Sequence, residues 1–213
     1  GGNSLFADTE RRSAELAGAG LCFVGAGVSG GEEGARKGPA IMPGGPVEAW
    51  DALRPMFEAI SAKVDGEPCV SHIGPGGAGH YVKMVHNGIE YGLMQAYAEG
   101  WELLETAQLV TNVRDVFNSW REGTVIRSWL LDLMVRALDE DPHLDTIEGY
   151  AADSGEGRWT VNAAVDLGVP VPTMAAALFA RFTSQQEDSP SMKMVAAMRN
   201  QFGGHAMKAD DGK

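Results

Sequence analysis

The chain has 213 residues, 44% hydrophobic and 22% charged, the balance of a globular protein long enough to bury a sizeable core. Its net charge of −12 argues against nucleic acid or an anionic membrane surface as a partner, and an anionic ligand would need local cations to hold it. No apolar run approaches the ~18 residues of a membrane span and no signal peptide is visible, so the expected location is the cytoplasm.

Asp8 and Thr9 are placed to cap a first helix running to about Ala17, which Gly18 and Gly20 stop. Leu21–Val24 reads as a short buried strand, followed by a glycine-dense loop and a second strand near Pro39 to Met42. Pro46 suits the first position of a helix reaching about Val64, and Pro68–Ile73 reads as a third strand. The first 45 residues hold 12 of the 28 glycines, whereas residues 101–150 hold only Gly123 and Gly149. The front therefore reads as α/β loops and strands, and the rest as packed helices.

A long helix is expected from Gly79 to Ala107, then helices at Val113–Glu122, Thr124–Leu138, Thr160–Leu167, Thr173–Gln185 and Ser191–Gln201. In the second of these five, Trp129, Leu130, Leu133, Met134 and Leu138 recur at helical spacing and are assigned to the core. Cys22 and Cys69, each flanked by apolar residues and with no metal-ligand spacing, read as buried free thiols. His72, His80 and His143 are assigned structural or surface places.

Two patterns carry chemistry. Within the long helix, Lys83, His86, Asn87, Glu90 and Tyr91 fall at i, i+3, i+4, i+7 and i+8, one face bearing an amine, an imidazole, an amide, a carboxylate and a phenol. Val82, Val85, Ile89 and Leu93 mark the other side. From pattern alone the polar stripe reads either as an active-site face or as a solvated one. Upstream, Gly25-x-Gly27-x-x-Gly30 matches a dinucleotide-binding turn, but that motif requires a helix opening at its third glycine. Gly31, Gly34, Gly38 and Pro39 are expected to break such a helix, leaving a tight loop whose N–H groups and Ser29 hydroxyl face a polar ligand.

The segments GGNS, GVSGGEEGARKGP, IMPGG, GAGHYVKMVHNGIEYG, GEGRWT, LFARF and RNQFGGH, in this order, resemble the decarboxylating 6-phosphogluconate dehydrogenases, in particular their short form. The resemblance implies a mainly α fold: the end of a Rossmann α/β domain over residues 1–75, an all-helical catalytic and dimerisation domain over 76–205, and a flexible tail at 206–213. It also implies that most of the N-terminal Rossmann half, with its NADP- or NAD-binding motif, is absent from this chain. By resemblance Lys83 is the base that takes the C3 hydroxyl proton as hydride leaves, and Glu90 the acid that protonates the enediol after CO₂ is lost, giving ribulose 5-phosphate. A lysine base must be neutral and a glutamic acid protonated at the moment each acts. Their Cα atoms lie ~10.5 Å apart along a helix, a span that long side chains close on a six-carbon sugar acid.

The resemblance further implies that Asn87 is catalytic, and that Asn3, Ser29, Gly30, Gly31 and His86 hold the sugar-acid carboxylate and hydroxyls. Tyr91 and Arg181 match phosphate contacts, while Asn3 and Glu90 also match cofactor contacts. Arg199 and His205 are expected to complete the partner's site in a homodimer. Arg158 stands near a position where the family carries a lysine. Two other readings stay open: a non-catalytic dimerising or sugar-phosphate-binding protein of the same fold, and another β-hydroxyacid dehydrogenase.

Overall fold

The computed structural model describes residues 1–208, so residues 209–213 of the expected tail lie outside the described residues. The elements run α1 (Phe6–Gly18), β1 (Gly25–Ser29), α2 (Gly31–Lys37), β2 (Ala40–Gly44), α3 (Val47–Ile60), β3 (Lys63–Val64), β4 (Glu67–Pro68), α4 (Ala78–Ala107), α5 (Val113–Gly123), α6 (Trp129–Glu140), α7 (Glu156–Leu167), α8 (Pro172–Ser184) and α9 (Pro190–Gly203). No helix among the described residues is long and apolar enough to cross a membrane.

The front is a two-stranded ladder. β1 pairs antiparallel with β2, from Gly25 opposite Gly44 to Ser29 opposite Ala40. The expected third strand reduces to single parallel bridges, Val70 to Ile41 and Gly74 to Gly44. Ala26, Ile41 and Phe57 form a small core beneath the ladder, with Val24, Trp50, Leu53 and Val70 around them.

Several local expectations are corrected. The first strand is Gly25–Ser29 rather than Leu21–Val24, because β2 pairs with the later residues; Leu21 is 58% exposed and Cys22 is exposed, not buried. A seven-residue helix, α2, does open after Gly30, held by Glu32–Arg36 and Glu33–Lys37 pairs at i, i+4. Thr9 does not cap α1; it is buried within the helix, its Oγ1 2.8 Å from His80 Nδ1. Burial also holds the His80 imidazole below its usual pKa.

α4, 30 residues long, is the axis on which both halves pack. Glu10 accepts from the Gly77 N–H at 2.6 Å, placing a carboxylate at the positive end of the helix. The helix can lie on the ladder because facing residues lack side chains. A Cβ on Gly27 would stand 2.5 Å from Lys83 Cβ and 2.6 Å from the Gly79 carbonyl. Gly25 and Gly27 of the dinucleotide-like motif thus serve helix-on-strand packing.

Behind α4, α5 and α6 enclose Val113, Phe117, Leu131, Val135 and Leu138. The Ser128 side chain accepts from the Leu131 N–H, so α6 starts at Trp129 rather than Thr124. Leu131, Val135 and Leu138, at i, i+4 and i+7, face inward onto α5. Trp129, assigned to the core, is instead 48% exposed and Leu133 37%. No described side chain of α9 is buried.

Candidate functional site

The stripe on α4 is inverted relative to an ordinary amphipathic helix. Its buried positions are Gly79, His80, Lys83, Met84, Asn87, Gly88, Tyr91 and Gly92, while Val82, Ile89 and Leu93 are exposed. A buried amine and amide are costly unless each finds partners, and here they do. Lys83 Nζ donates to Asn87 Oδ1 at 2.5 Å, and the same oxygen lies 2.9 Å from His86 Nδ1. Asn87 Nδ2 donates to Oε2 of Glu156, which is 3.9 Å from Lys83 Nζ. His86 continues the network outward: its Nε2 is 3.3 Å from Ser29 Oγ and its Nδ1 3.8 Å from Glu90 Oε2.

α7 reaches this point because Gly88 leaves space for it. A Cβ there would stand 2.7 Å from Thr160 Cγ2. Thr160 Oγ1 in turn bonds the carbonyls of Met84 and Glu156, tying α7 to α4. Glu156 opens α7, where the helix dipole favours a carboxylate, and is 1% exposed. Burial raises its pKa above the usual range, against the opposing pull of Lys83. Reading from the residues alone starts this helix at Thr160 and misses Glu156. The Gly-Glu-Gly run marks a capped helix start, but its burial depends on the crossing with α4, which no local pattern reveals.

The network opens on a cleft of about 1250 Å³ between β1, α2, α4 and α6. Lys83, His86, Asn87 and Glu90 line one wall, and Gly2, Asn3, Ser29, Gly30 and Gly31 another. Ile89, Leu93, Met94, Trp129, Leu130 and Leu133 give it an apolar side, so Trp129, Leu130 and Leu133 lie here rather than in the core, while Leu138 is buried and Met134 packs against the core as expected.

Tyr91 and Arg181 lie at a neighbouring corner. The Arg181 guanidinium sits 3.5 Å from the centre of the Tyr91 ring and donates to the Ala152 carbonyl at 3.0 Å. The Tyr91 hydroxyl accepts from the Ser154 N–H at 3.2 Å. The corner adjoins the cleft through Met94, whose sulfur is 3.5 Å from Arg181. Arg158 is turned elsewhere, paired with Asp153 at 2.7 Å and set over the Phe182 ring. Arg199, on α9, and His205, just beyond it, do not line the cleft.

Comparison with known proteins agrees with this fold. A model of the 6-phosphogluconate dehydrogenase C-terminal domain matches residues 79–192, and one of the NAD binding domain of 6-phosphogluconate dehydrogenase matches residues 1–74. The NADP⁺-dependent decarboxylating 6-phosphogluconate dehydrogenase of Bacillus subtilis is 49% identical over 196 residues, 88% of this chain and 42% of that protein. The enzyme of Raoultella planticola is 46% identical over 219 aligned positions, 99% of this chain and 48% of the relative. The solved Plasmodium falciparum 6-phosphogluconate dehydrogenase superimposes with a TM-score of 0.81 at 37% identity, covering 100% of this chain and 46% of that one. The chain thus spans less than half the length of these relatives. With a piece of an NAD-binding α/β domain leading into an all-helical domain built on α4, the chain belongs to the 6-phosphogluconate dehydrogenase family.

Proposed function

We propose that this chain carries the substrate-binding and proton-transfer residues for oxidative decarboxylation of 6-phosphogluconate to ribulose 5-phosphate and CO₂. The observation that carries the reading is the convergence of Lys83, Asn87, His86, Glu90 and Ser29 on one cleft. Lys83 is the base for the C3 hydroxyl: its amine is sheltered from water and aimed by Asn87, which fixes the direction of proton uptake. Glu90, less buried and beside His86, is the acid that returns a proton to the enediol carbon after CO₂ leaves. Ser29, Gly30, Gly31, His86 and Asn3 offer hydroxyl, imidazole, amide and backbone N–H groups to a sugar acid's hydroxyls and carboxylate.

The phosphate is assigned to the Tyr91–Arg181 corner, where a guanidinium supplies the local positive charge that a chain of net charge −12 needs for an anion. Bound NADP or NAD would supply the hydride-accepting ring. The cleft suits a second ligand, since its volume exceeds what a six-carbon acid fills and the backbone at Gly2 and Gly31 is open. Asn3 and Glu90 are the residues assigned to it. A homodimer, with Arg199 and His205 completing the partner's site, fits the exposed face of α9 and belongs to the same proposal.

The test is thermal unfolding with 6-phosphogluconate against gluconate. A ligand at 100 times its Kd stabilises by about 2.7 kcal/mol. The phosphorylated acid is expected to raise Tm by several degrees more than gluconate. Equal or absent shifts would overturn the assignment.

A further inference from the structure

Glu156 has no part in the reaction as set out above, yet it is more buried than either Lys83 or Asn87. Its Oε2 receives the Asn87 Nδ2–H and faces Lys83 Nζ at 3.9 Å, so the amide lies between an ammonium and a carboxylate. Asn87 then has one favourable orientation. Turned over, its NH₂ would face the Lys83 ammonium and its oxygen the Glu156 carboxylate, donor against donor and acceptor against acceptor.

We infer that Glu156 is a positioning residue of this site: it is the counter-ion of Lys83, and it fixes the Asn87 amide with its oxygen toward Lys83 and His86. The inference rests on Lys83 and Asn87 being the residues that meet the substrate.

The pair has two forms of equal net charge. In one, Lys83 is an ammonium and Glu156 a carboxylate. In the other, one N–H bond of Lys83 has broken, an O–H bond has formed on Glu156, and the lysine is a neutral amine. Burial, which holds the Glu156 carboxyl above its usual range, brings the neutral form closer to the ionic one.

The other charged groups around the pair do not replace Glu156. From α4, His86 and Glu90 face the cleft beside it. From α2, Glu32 is paired with Arg36 and Glu33 with Lys37, and from α6 Arg136 reaches Glu33 at 3.7 Å. From α8, Arg181 lies over Tyr91, and on α7 Arg158 is paired with Asp153. β1 brings no charged side chain.

The experiment is NMR on the full chain with labelled glutamate carboxyl and asparagine amide groups, the Glu156 carbon being assigned by its loss in Glu156→Gln. In Lys83→Met, or Lys83→Gln if the first misfolds, the Glu156 carboxyl is expected to titrate at higher pH than in the unaltered chain. An unchanged midpoint overturns the counter-ion role. The Asn87 NH₂ resonances are expected to stay near their original position in Glu156→Gln and to move in Glu156→Ala; no movement in the alanine variant overturns the positioning role. Neither readout needs a ligand, so both stand apart from whether 6-phosphogluconate binds. Where it does bind, Glu156→Ala is expected to weaken it about tenfold or more, while Glu156→Gln stays within about threefold. Equal weakening by both variants would also overturn the assignment of Asn87's orientation to this side chain.

Discussion

One helical turn separates two clusters on the same face of α4, and they use the same kinds of groups for different ends. At Lys83, Asn87 and Glu156, charged and amide groups are buried together, satisfy one another, and lead out through His86 to the cleft. At Tyr91, Arg181 and Ser154, a guanidinium lies over an aromatic ring, and further bonds go to the backbone of the loop before α7, the Ser154 hydroxyl and the Met94 sulfur. The first cluster stands on charge compensation in a dry place, the second on stacking and apolar packing against Ala177, Leu178, Val161 and Phe182. Each is made possible by one glycine at the α4–α7 crossing: Gly88 on α4 faces Thr160, and Gly157 on α7 faces Tyr91.

That contrast sets the order of expected effects. Glu156→Ala strips the buried Lys83 ammonium of its counter-ion, a change worth about 3–5 kcal/mol of stability. Urea unfolding reads it, with Glu156→Gln, which keeps an acceptor for Asn87 but loses the same charge, expected to cost most of that amount. If the glutamine variant costs little, the first cluster is held by shape and hydrogen bonding and the contrast with the second collapses.

The two glycines come next. A Cβ at Gly88 would stand 2.7 Å from Thr160 Cγ2, and one at Gly157 would stand 2.5 Å from Tyr91 Cε2. Gly88→Ala and Gly157→Ala are each expected to cost about 1–3 kcal/mol by overpacking. They should differ in consequence. Gly88→Ala displaces Thr160 and with it the start of α7, so the Asn87 NH₂ resonances should move; Gly157→Ala should leave them in place. Matching NMR changes from both would show the clusters to be one mechanical unit. Smaller again is Tyr91→Phe, which leaves the stacked ring but deprives the Ser154 N–H of its acceptor, at about 1 kcal/mol in thermal or chemical unfolding. A loss of several kcal/mol there would mean that the corner rests on its hydroxyl and not on stacking.

The sequence is informative about these clusters to different degrees. The helical spacing of Lys83, His86, Asn87, Glu90 and Tyr91 is enough to put them on one face, and α4 forms almost where that spacing places it. The direction of the face is another matter. Val82, Ile89 and Leu93 look like the buried side, but the glycines of β1 and α7 let backbone approach the polar side, and a polar face with partners on every group can be buried. Gly25 and Gly27 mimic a phosphate-binding turn for a related reason, since close backbone approach needs glycine whether the neighbour is a cofactor or a helix. Glu156 is invisible to local pattern because its role is set by a residue 69 positions away. The apolar run of α6 finds Leu138, and Met134 against the core, but also sends Trp129, Leu130 and Leu133 inward, because a helix apolar on two faces does not say which of them packs on α5 and which lines the cleft.

The smallest expected effect separates two carboxyls three positions apart, one at each cluster. The Asp153 carboxyl is held below the usual range, first by its bond from Arg158 and against the effect of burial, whereas burial holds Glu156 above it. A lowered carboxyl contributes stability above its unfolded pKa of about 3.9, and that contribution is lost as pH falls through the folded value. A raised one contributes below its unfolded pKa of about 4.3 and loses that as pH rises through the folded value. Because the Arg158 side chain is 55% exposed, solvent screens its pair, and Arg158→Ala should cost under about 1 kcal/mol at neutral pH. Its stability deficit should shrink as pH falls below about 4, leaving only what the guanidinium contributes over the Phe182 ring at 5.0 Å. The deficit of Glu156→Gln should run the other way, growing as pH falls toward 4. Unfolding curves collected from pH 3 to pH 8 would show the two slopes with opposite sign. Parallel slopes would mean that Asp153 and Glu156 share one electrostatic environment, and that the boundary between the charge-compensated cluster and the stacked corner does not lie between them.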